Sequence, residues 1–200
     1  VVKDNLERIN LRSPQMSLNS LAINTIKKMP AALGEVDIIR SITLLPGVTN
    51  GGEGASGFNV RGGAVDQNLI LLDEAIIFNS SHLFGFFSVF NPDAIKDIKL
   101  FKGGIPANYG GRVSSVLNIY QKDGNSNDFS AEGGVGLISS RLLLEGPLKK
   151  EKGSFLIGGR SSYVHLFLPL IESVKDNKAY FYDLNTKVSY TIDTKNNLYL

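Results

Sequence analysis

The chain has 200 residues, enough for one domain with a sizeable core or for a small domain plus part of another. A hydrophobic content of 42% with 20% charged residues excludes a disordered polymer, and a formal charge of +2 is too small to argue for nucleic acid or an anionic membrane surface as partner. The absence of cysteine excludes disulfides, thiol nucleophiles and cysteine-ligated metals, while 21 glycines without collagen or linker periodicity point to tight turns and close backbone approaches.

The first residues, Val1-Val2-Lys3-Asp4, show neither an initiating methionine nor a charged-then-apolar secretory pattern. Residues 1 to about 30 are polar and mixed, without a clear period, and Met29-Pro30 marks a boundary. From Leu33 the pattern turns helical, with Val36, Ile39, Ile42 and Thr43 at spacings of three and four and Glu35 and Asp37 near the start. Pro46-Gly47 ends that helix, and Thr49 to Gly57 reads as a glycine-rich loop.

Four short strands follow by period and composition: Phe58–Val60, Asn68–Ile77, Ile95–Lys102 and Val113–Tyr120. Asp97-Ile98-Lys99-Leu100 alternates charged and apolar, as a half-buried strand does, and Asn91-Pro92-Asp93 is a turn just before it. Lys122 to Asp128 is polar and reads as a second boundary. Beyond it the alternation lengthens. In the run from Asp183 to Ile192, Leu184, Val188, Tyr190 and Ile192 share one face with Thr186, and the other face is wholly polar. Similar runs cover 129–137 and 154–163, with Leu156 as an exception on its polar face. These runs approach the roughly nine to eleven residues that cross a bilayer as tilted strands. Short turns at 149–153 and 193–196 and a longer segment between Tyr163 and Phe181 give the layout of a barrel with one tight rim and one looped rim. Alternation alone is equally met by a soluble antiparallel sheet with one wet face. The last residues, Asn197 to Leu200, read as the inside of a strand, so a longer chain is expected.

Several motifs invite chemistry. Arg61-Gly62-Gly63 and Tyr109-Gly110-Gly111-Arg112 each place an arginine in a glycine turn, where a guanidinium suits a bidentate contact with a carboxylate or simply points to solvent. A phosphate loop is excluded, because Val113-Ser114-Ser115-Val116 follows as a strand and lacks the Lys-Ser or Lys-Thr pair. A single Arg-Gly-Gly between strands is no disordered RNA-binding repeat. Asp66 and Asp73 flank a strand and would stand roughly 23 Å apart if extended, too far to cooperate as acid and base. The segment Ser81 to Phe90 holds four of the eleven phenylalanines. Phe84, Phe87 and Phe90 are spaced to pack a small core, and His82, Phe84, Phe86 and Phe87 are the alternative candidates for an apical, ligand-facing loop. No Asp/Glu-rich ligand spacing surrounds His82 or His165, so no metal is expected.

In order, Leu33-Gly34-Glu35-Val36-Asp37-Ile38, Leu44-Leu45-Pro46-Gly47-Val48, Phe58 to Gly63, Gln67 to Asp73, Leu83 to Lys96 and Lys102 to Arg112 resemble the plug of TonB-dependent outer-membrane receptors, most closely a branch common in Bacteroidetes. Residues 129–200, with Arg141 to Leu148, resemble the first strands of such a barrel. Asp73-Glu74 and Ile76 depart from the Asp-Gly and proline of many plugs, and the last plug strand departs from the SusC-like subgroup, which disfavours glycan import with a SusD-like lipoprotein. The resemblance implies an α+β plug domain, a small mixed sheet with short helices, followed by the start of a transmembrane antiparallel β-barrel, 22-stranded in the family. The implied organisation is an N-terminal periplasmic segment over 1–30, the plug over 31–125 and about five barrel strands over 126–200, with about 400 further residues expected by analogy with 22-stranded transporters.

The function so implied is energy-coupled import of a scarce ligand (siderophore, cobalamin, glycan or peptide) across the outer membrane, with the plug gating the barrel. TonB with ExbB and ExbD is the expected periplasmic partner, and the bilayer with its lipopolysaccharide, together with a surface lipoprotein, are the others. No enzymatic chemistry and no cofactor are implied. A TonB box would lie upstream or near Leu11 to Ser17, where no clear match stands. In the family, arginines of the two glycine motifs pair with barrel glutamates, which maps the latch to Arg61 and Arg112, with Glu132 and Glu145, or glutamates beyond Leu200, as partners. Alternation puts Glu132, Arg141, Glu145, Arg160 and Lys187 on the lumen face. Two rivals remain: a transport-inactive barrel serving as a structural or interaction subunit of a surface complex, and a soluble β-rich enzyme, for which the sequence offers no cluster of acid–base residues.

Overall fold

The structure is a computed structural model that describes residues 17–29, 35–52, 57–82, 85, 87–170, 172, 175–176 and 179–200. Residues 11–16 of the TonB-box region, Phe84 and Phe86 lie outside the described residues.

A five-stranded mixed sheet organises the first half. Its strands are β1 (Leu18–Ala22), β4 (Asn68–Leu72), β5 (Ala75–Ile76), β8 (Ile95–Phe101) and β9 (Ser115–Gln121), in the order β1-β8-β9-β4-β5. Only β4 and β9 run parallel. The alternation read in Asp97 to Leu100 is real: Ile98 and Leu100 are fully buried, and Lys99 lies on the other face over the Tyr120 ring. On the Ile98 face pack α1 (Ile23–Ile26), α2 (Ile38–Thr43) and the hairpin of β2 (Val48–Asn50) with β3 (Phe58–Val60), through Ile26, Ile38, Ile42, Phe58 and Val60. A smaller cluster of Leu69, Leu71, Phe101 and Val116 covers the other face, and β6 (Ser81–His82) pairs with β7 (Phe87–Ser88) in a separate hairpin.

Several elements differ from expectation for physical reasons, beginning with β1 and α1, which join the plug sheet and core from within residues 1–30, expected as a separate segment. α2 begins at Ile38 rather than near Leu33, because Asp37 is extended and its carboxylate caps the Arg40 N–H at 2.9 Å. The run Asn68–Ile77 breaks into a hairpin at Asp73 and Glu74, both with positive φ. The glycine-rich stretch after Pro46 opens with β2, because Val48 is needed under the sheet with Phe58 and Val60.

The second half is an antiparallel meander of β10 (Ser130–Val135), β11 (Ser139–Lys149), β12 (Gly153–Ser162), β13 (Tyr182–Thr191) and β14 (Asn197–Tyr199), each hydrogen-bonded to the next. Large apolar side chains, among them Val135, Leu142, Leu144, Ile157 and Leu184, are exposed on its outer face. Phe129 and Tyr190 lie across Gly146 and Gly153 near the tight-turn end, where a Cβ would collide with their rings. Outward aliphatics edged by aromatics are the pattern of a lipid-facing strand wall. No helix among the described residues is long and apolar enough to cross a membrane.

The inner face of the meander rests against the mixed sheet. Leu156, the exception to the polar face in the sequence, is fully buried with Leu143 and Ala94. At Gly158 a Cβ would come within 3.0 Å of Asn91 Nδ2 and Leu143 Cδ1, so a glycine is what lets the Asn91 turn lie against the wall.

Candidate functional site

Four successive wall strands send charged side chains inward, as the alternation of the sequence requires. From β10, Glu132 meets Lys27 Nζ at 2.8 Å. From β11, Arg141 donates through Nε to Asp93 Oδ2 at 2.6 Å and stands 3.4 Å from Glu35. From β12, Arg160 faces Glu35 at 3.8 Å and donates to the Ser88 carbonyl. From β13, Lys187 lies 3.1 Å from both Asp73 and Asp123.

The centre of this network is dry. The side chains of Arg160, Asp93 and Glu35 are only 1%, 1% and 3% exposed. Local structure aims each one. Asn91 Oδ1 accepts the Asp93 N–H at 3.0 Å and fixes the turn that carries the carboxylate to the wall. Asp37, the cap of α2, uses its second oxygen to accept the Ser88 N–H at 2.7 Å, which ties the helix to the segment that Arg160 holds. Arg160 also donates through Nε and Nη2 to Asp183 of the next wall strand. Burial opposes the Asp93 charge, but Lys27 and Arg141 outweigh it and hold its carboxyl below the usual aspartate range. Burial likewise opposes the Lys27 charge, and Asp93 and Glu132 raise its pKa despite it. Removing one member of so buried a set leaves its partner charged and desolvated, at a cost of roughly 3–5 kcal/mol.

The expected site residues fall in several places. Glu132 does reach across the boundary, but to a lysine. Glu145 accepts from the Ser130 hydroxyl on its own sheet, at 2.7 Å. Neither meets Arg61 or Arg112. Arg61 has a left-handed backbone (φ 51°), which costs a non-glycine residue roughly 1–2 kcal/mol. It donates through Nη2 to Ser17 Oγ at 3.0 Å. Arg112 is exposed, bonds the Gly111 carbonyl, and lines a cavity of about 410 Å³ with Asp66, Asn68 and Phe78. His82 stacks on Phe181 with ring centres 4.7 Å apart and contacts Asp183 through Nε2. Phe87 is buried with Ile138 and Phe181, and Phe90 lies in the main core. Sequence reading missed Glu35, Asp93 and Lys102. Lys102 donates to the Pro46 carbonyl at 2.8 Å, and burial and then the nearby Arg61 charge lower its pKa. For Asp93, the Asn-Pro-Asp turn just before a buried strand was the available signal.

The family model described as TonB-dependent Receptor Plug Domain matches residues 13–116, more than half of the chain. The chain belongs to the TonB-dependent receptor plug family. The mixed sheet is its plug, and the meander is the first part of the barrel wall. Its fold is similar to that of the siderophore receptor PirA from Acinetobacter baumannii, with a TM-score of 0.63 at 20% identity over 90% of this chain and 30% of that one. It is similar also to a mutant of the ferric enterobactin receptor PfeA from Pseudomonas aeruginosa, with a TM-score of 0.64 at 17% identity over 96% of this chain and 32% of that one. A third similar fold, at a TM-score of 0.58 and 12% identity, is the copper transporter OprC, over 91% of this chain and 28% of that one. The chain thus spans about a third of the length of these proteins. No curated protein sequence matches it.

Among the described residues, the ion pairs across the boundary have the opposite polarity to the expected latch and do not include its Arg61 and Arg112. The plug supplies the central carboxylates, Glu35 and Asp93, and the barrel supplies the arginines. The physical reason is register: Arg141 and Arg160 are direct partners on β11 and β12, so two cations stand side by side on the wall and draw acids from the plug.

Proposed function

We propose that this chain forms the plug and first wall strands of an outer-membrane transporter that imports a scarce ligand with energy delivered through TonB. The plug runs from β1 at Leu18 to about residue 125, the barrel begins at about 126, and the N-terminal end of the chain faces the periplasm. The observation that carries this reading is the buried charge network between Glu35 and Asp93 of the plug and Arg141 and Arg160 of the wall. It joins plug and wall, beside two small shared apolar clusters, by contacts that mutual withdrawal can break and return can remake. A permanent seal would be expected to be apolar, since replacing buried ion pairs by packed apolar groups is often neutral or stabilising.

Arg61 and Arg112 complete the latch by meeting carboxylates elsewhere on the barrel, and the adjacent Lys102 adds to the positive charge that Arg61 presents. The hairpin that carries His82 and Phe87 lies toward the ligand side. The similarity to siderophore receptors makes a ferric chelate the first ligand to try, with a copper species second. ExbB and ExbD supply the energy through TonB, and a surface lipoprotein is a further partner to look for. Uptake of labelled ferric siderophores by cells producing the full-length protein, with and without TonB, tests the reading. Uptake that stops when TonB is removed supports it. A barrel that assembles yet imports nothing from a panel of iron, copper, cobalamin and peptide ligands favours a structural subunit instead.

A further inference from the structure

Arg61 joins three segments at one corner of the plug sheet. Its N–H donates to the Gly47 carbonyl at 2.9 Å. Its side chain then crosses Gly103, where a Cβ would stand 3.0 Å from Nη1. Gly103 has a φ of 127°, so both its conformation and its lack of a side chain open this channel. The tip reaches Ser17, whose own φ is 64° and whose carbonyl accepts the Lys102 N–H at 3.0 Å. Ser17 directly precedes β1, the edge strand of the sheet. That strand holds by five residues paired to β8 and by the half-buried Leu18 and Leu21. A strand with one ladder and little buried apolar area belongs to the low end of local stability.

We propose that Arg61 is a catch on the first strand of the plug. Its guanidinium grips Ser17 from the far side of Gly103, so tension on the segment before Ser17 loads this contact before it loads the ladder between β1 and β8. Once the catch gives, β1 peels from Phe101 toward Asp97, one pair at a time, because antiparallel pairing places Leu18 opposite Phe101 at the loaded end. Release also uncovers Arg61 and Lys102 together, which couples departure of the strand to the charges that the transport reading assigns to the latch. The fork shape matters: one terminal nitrogen lies against Gly103 while the other donates to Ser17, which a lysine ammonium cannot reproduce. The catch rests on the transport reading only for the source of the tension.

An optical trap supplies that tension directly. The full-length protein is held in a lipid nanodisc and pulled by a handle on its N-terminus. The expected first step from the described region lengthens the tether by about 17 Å, five residues at ~3.4 Å each. At fixed load, Ser17→Ala and Arg61→Lys each speed this step about tenfold, while Ser17→Asn, which tolerates the left-handed backbone and keeps an acceptor oxygen, holds the native rate. A Leu18→Cys/Phe101→Cys pair, made in a stretch without cysteine of its own, removes the step when oxidised and restores it when reduced. A rate unchanged in both Ser17→Ala and Arg61→Lys overturns the catch, as does a step that survives the cross-link. The trap result stands apart from cellular import: failed uptake with an altered first step removes the transport reading alone, and intact uptake with an unaltered step removes the catch alone.

Discussion

Arg141 of the barrel and Asp93 of the plug meet Nε to Oδ2 at 2.6 Å, the arginine side chain 23% exposed and the aspartate 1%. This contact joins the two bodies at a point where one partner is dry and the other is still wetted.

Asp93→Asn leaves Arg141 and Lys27 without their shared carboxylate and is expected to weaken plug seating by roughly 3–5 kcal/mol. Arg141→Met should cost less, because its guanidinium keeps some solvent. A double-mutant cycle read by hydrogen exchange of residues 95–101 in the full-length protein should show coupling of about 1–3 kcal/mol. Strict additivity would mean that the pair contributes nothing jointly.

The acid and base limits of seating follow from the two shifted groups. Asp93 is held below its ordinary value of 3.8, so its contribution is complete above that value and is lost as pH falls through the lower folded pKa. Lys27 is raised above 10.5, so its contribution is complete below that value and is lost as pH climbs through the higher folded one. Protection of residues 95–101, corrected for the intrinsic pH dependence of amide exchange, should therefore stay flat across the neutral range and fall only in the acid and alkaline limbs. Protection that fell away between about pH 5 and 9 would assign seating to other groups.

Leu156→Ala removes a fully buried side chain packed with Leu143 of the neighbouring wall strand and Ala94 across the boundary, and should cost about 2–5 kcal/mol. Gly158→Val presses on Asn91 and Leu143 from the wall side. Both changes should raise protease cleavage of the plug while the pairing of β11 with β12 persists, which limited proteolysis with peptide mapping can distinguish. Loss of wall pairing in step with plug cleavage would mean that the two bodies do not separate.

Tyr120 accepts from Asn118 Nδ2 at 2.8 Å beside Tyr109, and burial, with Tyr109 adding to it, pushes its hydroxyl up to about 12. The folded state thus keeps this proton after an unfolded tyrosine has lost it, so the contribution is complete below about pH 10 and disappears between about 10 and 12. Phenolate absorbance should show one tyrosine titrating late, and Tyr120→Phe should remove that component.

Much of this architecture was legible because period is a local property. The buried Ile98 and Leu100, and the inward placing of Glu132, Arg141, Arg160 and Lys187, follow from alternation in single strands. Which charge each would meet was not legible, because Asp93 lies 48 positions from Arg141 and Glu35 lies 106. β1 escaped notice because an edge strand with two half-buried leucines carries too little pattern to rise above a polar background. Arg61 stood out as a motif, yet its grip on Ser17 depends on a channel past Gly103 that no spacing reveals.

Arg160 is held by Asp183 from the adjacent wall strand, in direct register and through two nitrogens. Both partners of that bond belong to the wall, so on the proposed transport reading it would persist when the plug departs. The guanidinium therefore keeps its aim in an empty lumen, and Glu35 and the Ser88 carbonyl return to a socket that is already set. On the proposed transport reading, a gate built this way would reset quickly after each passage, because the receiving half would not have to be reassembled before the stopper found its seat.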